Sequence, residues 1–169
     1  VRVQEDTARA IGAKAAEHGV AVSLHAPYYI SLASADPQKR ENSVEYICQS
    51  AQVVDWLGGN RVVVHPGGLG GRPRGEAAAL AAQTLRKAQE ALDAQGLSHI
   101  RLCPETMGKI NQLGDLDEVL ELCQLDERLL PCIDFGHLYA RSLGELEGYE
   151  ATVRMLDRVE AQLGPDRAA

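Results

Sequence analysis

Four short apolar runs in this chain each end in a side chain able to bind a metal ion. Val20-Ala21-Val22-Ser23-Leu24 runs into His25, Arg61-Val62-Val63-Val64 into His65, and Ile100-Arg101-Leu102-Cys103-Pro104 into Glu105. The fourth run, Leu130-Pro131-Cys132-Ile133, ends in Asp134, and His137 follows after a glycine. The ends at 25, 65, 105 and 134 are 40, 40 and 29 residues apart. Each interval has room for one strand, a crossover helix and a return, roughly 30 residues or more. Such spacing constrains the chain to parallel strands joined by right-handed crossovers. In that architecture, groups at the carboxyl ends of the strands gather at one end of the sheet.

The intervening segments read as helices. Residues 5 to 18 place Ala8, Ile11 and Ala15 at helical spacing and stop at Gly19. Asp36-Pro37 supplies a cap and a first-turn proline for a helix to about Leu57, with Val44, Ile47, Ala51 and Val54 on one face. An alanine-rich helix is expected over 76 to 94, another behind the cap Asp115, and a last one over 149 to 163. The tail from Asp166 to Ala169 is expected to fray. No helix is predicted between Asp134 and Tyr149. The fold class is therefore α/β, one domain over residues 1–169. A closed eight-stranded barrel takes at least about 200 residues, so 169 residues with four strands amount to about half of one.

Composition narrows the function. The net charge of −7 and an aromatic content of 4% argue against non-specific nucleic-acid binding and an extended base-stacking surface. They do not exclude a phosphate ligand, because bound divalent metal puts positive charge where a phosphate would sit. No apolar run is long enough to span a membrane. The four cysteines, at 48, 103, 123 and 132, form no CxxC pair and read as reduced thiols of a cytoplasmic protein. The opening Val-Arg-Val-Gln-Glu-Asp has no signal-peptide character and no initiator Met, which is compatible with a start that has been removed.

A single His at a strand end is most simply bonded to a loop carbonyl. Here His25, His65 and His137 share one level with Glu105 and Asp134. Unpaired carboxylates brought together would repel, and a divalent cation removes that cost. Imidazole nitrogen with carboxylate oxygen suits zinc, manganese or iron better than magnesium or calcium. His18, in the last turn of a helix, and His99, at a strand start, read as structural or surface residues. Alternation along a strand sets Ser23, Val63, Cys103 and Cys132 in the layer beneath the ligands. There Cys103 and Cys132 are small core residues before they are auxiliary ligands. The glycine loop from Gly67 to Gly75 lacks the phosphate-loop pattern but lets backbone approach a substrate at Gly67. Tyr28 and Tyr29 flank the mouth.

The strings His25-Ala-Pro-Tyr28, Val63-Val-His65-Pro-Gly67, Pro104-Glu105-Thr106-Met-Gly108 and Cys132-Ile-Asp134-Phe-Gly-His137 resemble the endonuclease IV type of abasic-site endonuclease. That family belongs to the xylose isomerase-like TIM barrels, and the resemblance runs from about Thr7 to Leu163. It implies a centre of two or three metal ions, mainly zinc, that cuts the phosphodiester 5′ to an abasic site in DNA repair. By this match His25 and His65 hold one metal, Glu105 bridges to a second, Asp134 ligates the second and His137 a third. Tyr28 matches the family's DNA-contacting tyrosine, and Ser31 stands where the family has an Asn that follows it. The third string has Glu-Asn-Thr in the family and Pro104-Glu105-Thr106 here, which displaces the carboxylate by one residue. Phe135-Gly136 replace Thr-Cys.

The match also places these strands as the third to sixth of eight, with further family ligands on the missing last two. The first expectation is therefore a zinc-dependent phosphodiester hydrolase in which Glu105 and Asp134 carry the catalytic metals. A sugar isomerase or epimerase of the same superfamily, acting on a small sugar or sugar phosphate, is the second. A non-catalytic metal-binding fragment is the third. A half barrel leaves two sheet edges open, which predicts self-association or missing strands supplied by the rest of a longer protein.

Overall fold

A computed structural model describes residues 3–168. Val1 and Arg2, part of the opening string read as lacking signal character, and Ala169 lie outside the described residues. The order is α1 (Glu5–Glu17), β1 (Leu24–His25), α2 (Pro37–Trp56), β2 (Arg61–Val64), α3 (Arg74–Ala94), β3 (Arg101–Pro104), α4 (Leu116–Cys123), α5 (Phe135–Arg141), α6 (Gly148–Leu163) and α7 (Pro165–Ala168). The three strands are parallel and run side by side in sequence order. This is a partial α/β barrel. No helix among the described residues is long and apolar enough to cross a membrane.

Two strands are shorter than the apolar runs suggested. Leu24 pairs with Val62 and His25 with Val63, so the residues before Ser23 lie opposite the turn 58–60, not opposite β2. They have no ladder partner, and β1 is two residues long. The fourth run pairs with β3 through two isolated parallel bridges, Leu102 to Leu129 and Glu105 to Cys132. Pro131 sits between them without an N–H to donate. The run still follows the sheet, through Leu130 N to Leu102 O (3.1 Å) and Cys132 N to Pro104 O (2.9 Å).

One side of the sheet carries the core. Val62, Val64 and Leu102 are buried against Ile47, Ala51 and Val54 of α2 and Ala81, Leu85 and Ala88 of α3. The other side, where a barrel interior would be, is an open cleft of about 170 Å³ lined by Ser23, Val63, Cys103 and Cys132 as alternation requires, with Arg61 at its foot. Burial pushes the Cys103 thiol up to about 12 and the Cys132 thiol up to about 11. Both remain protonated thiols, inert as nucleophiles.

The helices follow the caps with three exceptions. Asp36 accepts from Gln38 N at 2.9 Å, and Asp115 forms a capping box with Glu118. In α1, Gly12 and not Ile11 joins Ala8 in the buried stripe, because α1 meets the end of α2 so closely that a Cβ on Gly12 would lie 2.3 Å from the Leu57 carbonyl oxygen. Helix α5 was not anticipated. The expected frayed tail is instead the turn α7, where the Arg167 guanidinium donates to the Cys123 carbonyl at 2.9 Å.

Glu118 fixes the loop that follows β3. Its carboxylate accepts from Arg74 Nε and Nη2, each at 2.6 Å, and from the backbone N–H groups of Gly114 and Asp115 at 2.8 and 3.0 Å. Burial raises its pKa, and the Arg74 and backbone hydrogen bonds outweigh that and hold it below the ordinary carboxylate value. Glu118→Gln is expected to cost about 2 kcal/mol at pH 7, less than a fully buried pair because Arg74 keeps access to water. A depressed folded pKa contributes fully above the unfolded value of 4.5 and is lost as pH falls through the folded one. The stability curves of variant and native protein should therefore converge in acid, as chemical denaturation at pH 7 and pH 3 would read.

Candidate metal centre

The five predicted ligands meet at the carboxyl end of the sheet. Glu105, just past β3 and 7% exposed, is the hub. Its Oε2 lies 3.1 Å from His25 Nε2 and 3.0 Å from His65 Nε2. Its Oε1 lies 3.9 Å from His137 Nδ1, which is 3.5 Å from Asp134 Oδ2. Two three-residue sets result, His25–His65–Glu105 and Glu105–Asp134–His137, and in each the ligand atoms lie within 4.8 Å of one another. The one-residue displacement against the Glu-Asn-Thr string leaves the carboxylate between the two His.

Several features fit this donor set to a cation. His25 Nδ1 is 2.7 Å from the Ala26 carbonyl oxygen. A carbonyl only accepts, so Nδ1 carries the proton and, in the neutral ring, Nε2 presents its lone pair toward Glu105. A ring whose far nitrogen is fixed on a backbone carbonyl is the usual arrangement for a metal-binding His. His137 differs: its Nδ1, the nitrogen nearest Glu105 Oε1 and Asp134 Oδ2, is itself bonded to the Thr106 carbonyl oxygen at 2.8 Å, so the lone pair of the neutral ring lies on Nε2. The His25 and His65 rings meet edge to face with centroids 4.8 Å apart. Burial raises the Glu105 pKa, but the His65 and His25 imidazoles in contact with its carboxylate outweigh it and hold the carboxyl below the ordinary range. Glu105 is thus a carboxylate throughout the neutral range.

Asp134 has two jobs. Its Oδ1 caps α5 by accepting from His137 N at 2.8 Å, which leaves Oδ2 toward the centre. Buried Thr106 ties this corner to β3. Its Oγ1 accepts from Asp134 N at 2.8 Å, and its own N–H donates to Cys132 O at 3.0 Å. The sequence had marked Thr106 only as part of a string. A hydroxyl residue directly behind a strand-end carboxylate is the signal by which the sequence could have singled it out.

Next to the centre lies a cavity of about 400 Å³, lined by Tyr28, His65, Met107, Lys109, Gln112 and His137 among others. Tyr28 is 81% exposed at its rim. Ser31 and Gly67, expected to meet substrate, are not among the residues that line it. Gly67 is buried at φ +105°, and a Cβ there would lie 2.9 Å from Ser31 Oγ, so these two join the 26–36 and 65–69 loops. His99 is exposed and pairs with Asp55 at 2.9 Å, and His18 caps α1 on the surface. A larger depression, about 660 Å³, opens at the opposite end of the sheet and holds none of the five ligands.

A family model for the xylose isomerase-like TIM barrel matches residues 1–168. This chain belongs to the xylose isomerase-like TIM barrel family. It is 38% identical to an uncharacterized protein of Methanocaldococcus jannaschii, over 98% of this chain and 59% of that protein. It is 31% identical to a probable endonuclease 4 of Thermoplasma acidophilum, over 92% of this chain and 53% of that one. Among solved structures, endonuclease IV from Thermus thermophilus superposes with a TM-score of 0.72 at 25% identity, covering 99% of this chain and 58% of that one. A D-tagatose 3-epimerase-like protein shares the fold, with a TM-score of 0.73 at 21% identity over 93% of this chain and 58% of its own. The chain spans little more than half the length of these relatives.

Proposed function

We propose that this family member is a zinc-dependent phosphodiester hydrolase that cleaves DNA 5′ to abasic sites, the activity of a cytoplasmic repair endonuclease. The observation that carries the reading is Glu105, whose two oxygens face two separate donor sets. One carboxylate shared between paired metal positions is the arrangement of two-metal phosphodiesterases. His25 and His65 with Glu105 Oε2 would hold one ion. Asp134 with Glu105 Oε1 would hold another, and the Nε2 lone pair of His137 would serve the third position that the resemblance implied. Bound divalent ions would lower the pKa of a water towards about 7 and offset charge on the phosphate and leaving oxygen. The chain's own side chains then orient, and no separate side-chain base is required. Tyr28 offers an exposed ring face to the substrate.

The test joins metal content with product analysis. Elemental analysis of the purified protein should find tightly held zinc, with manganese or iron as substitutes, and an abasic duplex should be nicked while the intact duplex survives. A metal-free folded protein, or a metal-loaded one that leaves abasic DNA whole, would sink the proposal. The net charge of −7 favours a small substrate instead, so epimerisation of a ketose in the same preparation would establish the second reading.

A further inference from the structure

The geometry points to a subsite for a phosphate group at Lys109, beside the metal centre and distinct from the five ligands. This rests on the reading of the centre as a phosphodiesterase site. The cavity next to the centre is lined by Lys109, His65, His137, Tyr28 and Gln112 among others, and by no acidic residue. That is an unusual lining in a chain with 24 acidic against 17 basic residues. Ion pairs at this end of the molecule join Arg74 and Arg141 to Asp115 and Glu118. Among the described residues none of them takes Lys109.

The loop that carries Lys109 is fixed by its backbone. Arg141, one turn beyond His137 on α5, donates to the carbonyls of Met107 (3.2 Å), Lys109 (2.8 Å) and Gln112 (3.3 Å). From the other side, Arg74 donates to the carbonyls of Ile110 (3.0 Å) and Gln112 (3.1 Å). Two guanidiniums thus tie down the backbone of residues 107–112 beside the cavity, and among the described residues the Lys109 side chain makes no hydrogen bond or ion pair. A preset loop that presents one free ammonium costs little entropy when an anion arrives. Across the cavity Tyr28 is held out by an edge-to-face ladder, Tyr28 on Tyr29 at 5.6 Å and Tyr29 on Tyr46 at 5.1 Å. A cavity of about 400 Å³ that Lys109 and Tyr28 both line has room for a phosphate borne on a sugar. The sugar phosphate belongs either to a nucleic-acid backbone or to a free metabolite.

Binding of an abasic duplex and of ribose 5-phosphate to the whole protein in chelator reads Lys109 without any metal contribution. Lys109→Met should weaken binding about tenfold and lower the salt slope of duplex binding by nearly one unit, while Lys109→Arg retains both. Lys109 is exposed and its loop is held through carbonyls, so the variants should fold as the native protein does. Loss on the duplex alone identifies a nucleic-acid phosphate, and loss on ribose 5-phosphate alone a small substrate. Unchanged affinity and slope on both probes, or no binding of either by native protein, overturns the subsite. Cleavage of abasic DNA by the metal-loaded native protein is scored separately. If it fails while Lys109 still governs binding, the hydrolase reading falls and the subsite stands.

Discussion

Glu105→Gln is expected to strip most bound metal from the protein and to lower hydrolysis of an abasic duplex more than about 100-fold. Outer residues that merely orient a ligand already cost 10–100-fold when removed. Glu105 is placed to serve both donor sets, so its loss affects each. The amide keeps the shape and one carbonyl oxygen but removes the charge that two cations would share. It also puts an NH₂ group or a weaker acceptor at positions 3.0 and 3.1 Å from the His nitrogens. Folding should survive, because the amide can still bond to neutral imidazoles. The measurement is elemental analysis beside initial rates at saturating zinc. Native metal content in the variant would show that the two His and Asp134 suffice without the hub. A normal rate with full metal would place the chemistry elsewhere.

The meeting of these five side chains was largely legible in the sequence because His25, His65, Glu105 and Asp134 each close an apolar run at a crossover interval. His25, His65 and Glu105 needed only strand periodicity and the rule that parallel sheets gather chemistry at one end. Asp134 and His137 needed more. The apolar run 130–133 reads as a full strand, yet Pro131 reduces it to bridges. Asp134 is equally a helix cap, and its side chain bonds His137 N three residues on. Asp before Phe135, with Ser142-Leu143-Gly144 as a stop, was a helix signal that the strand reading masked. Helix α5 matters because His137 and Arg141 lie one turn apart on it, so the unpredicted element positions both a candidate ligand and the loop at the cavity. Contacts between loops distant in sequence, such as Arg74 with Glu118 or Gly67 with Ser31, leave no periodic trace. Charge or glycine content alone does not name the partner. Strand lengths failed for a related reason, since a residue counts as strand only when a neighbour is opposite it, and the partner's turn decides that.

Thr106→Val should lower affinity for the second metal about 10–100-fold and cost about 1–3 kcal/mol in stability, while the His25–His65 side keeps its metal. The substitution keeps volume and β-branching in a fully buried site but deletes the hydroxyl. The Asp134 backbone N–H, which donates to that hydroxyl at 2.8 Å, loses its partner. Asp134 begins α5 and points Oδ2 at the centre, so a shift of its backbone moves a ligand and a cap together. His137 is less exposed to the change, because it bonds the Thr106 carbonyl and not the side chain. The damage should therefore fall on one of two metal positions. Titration of metal-free protein would show one tight site retained and one weakened, and thermal melts of that metal-free form would give the stability term separately. Thr106→Ser should recover both. Equal weakening of the two positions would mean that the corner moves as one body with the His pair, and no weakening would mean that Asp134 is held by its cap alone.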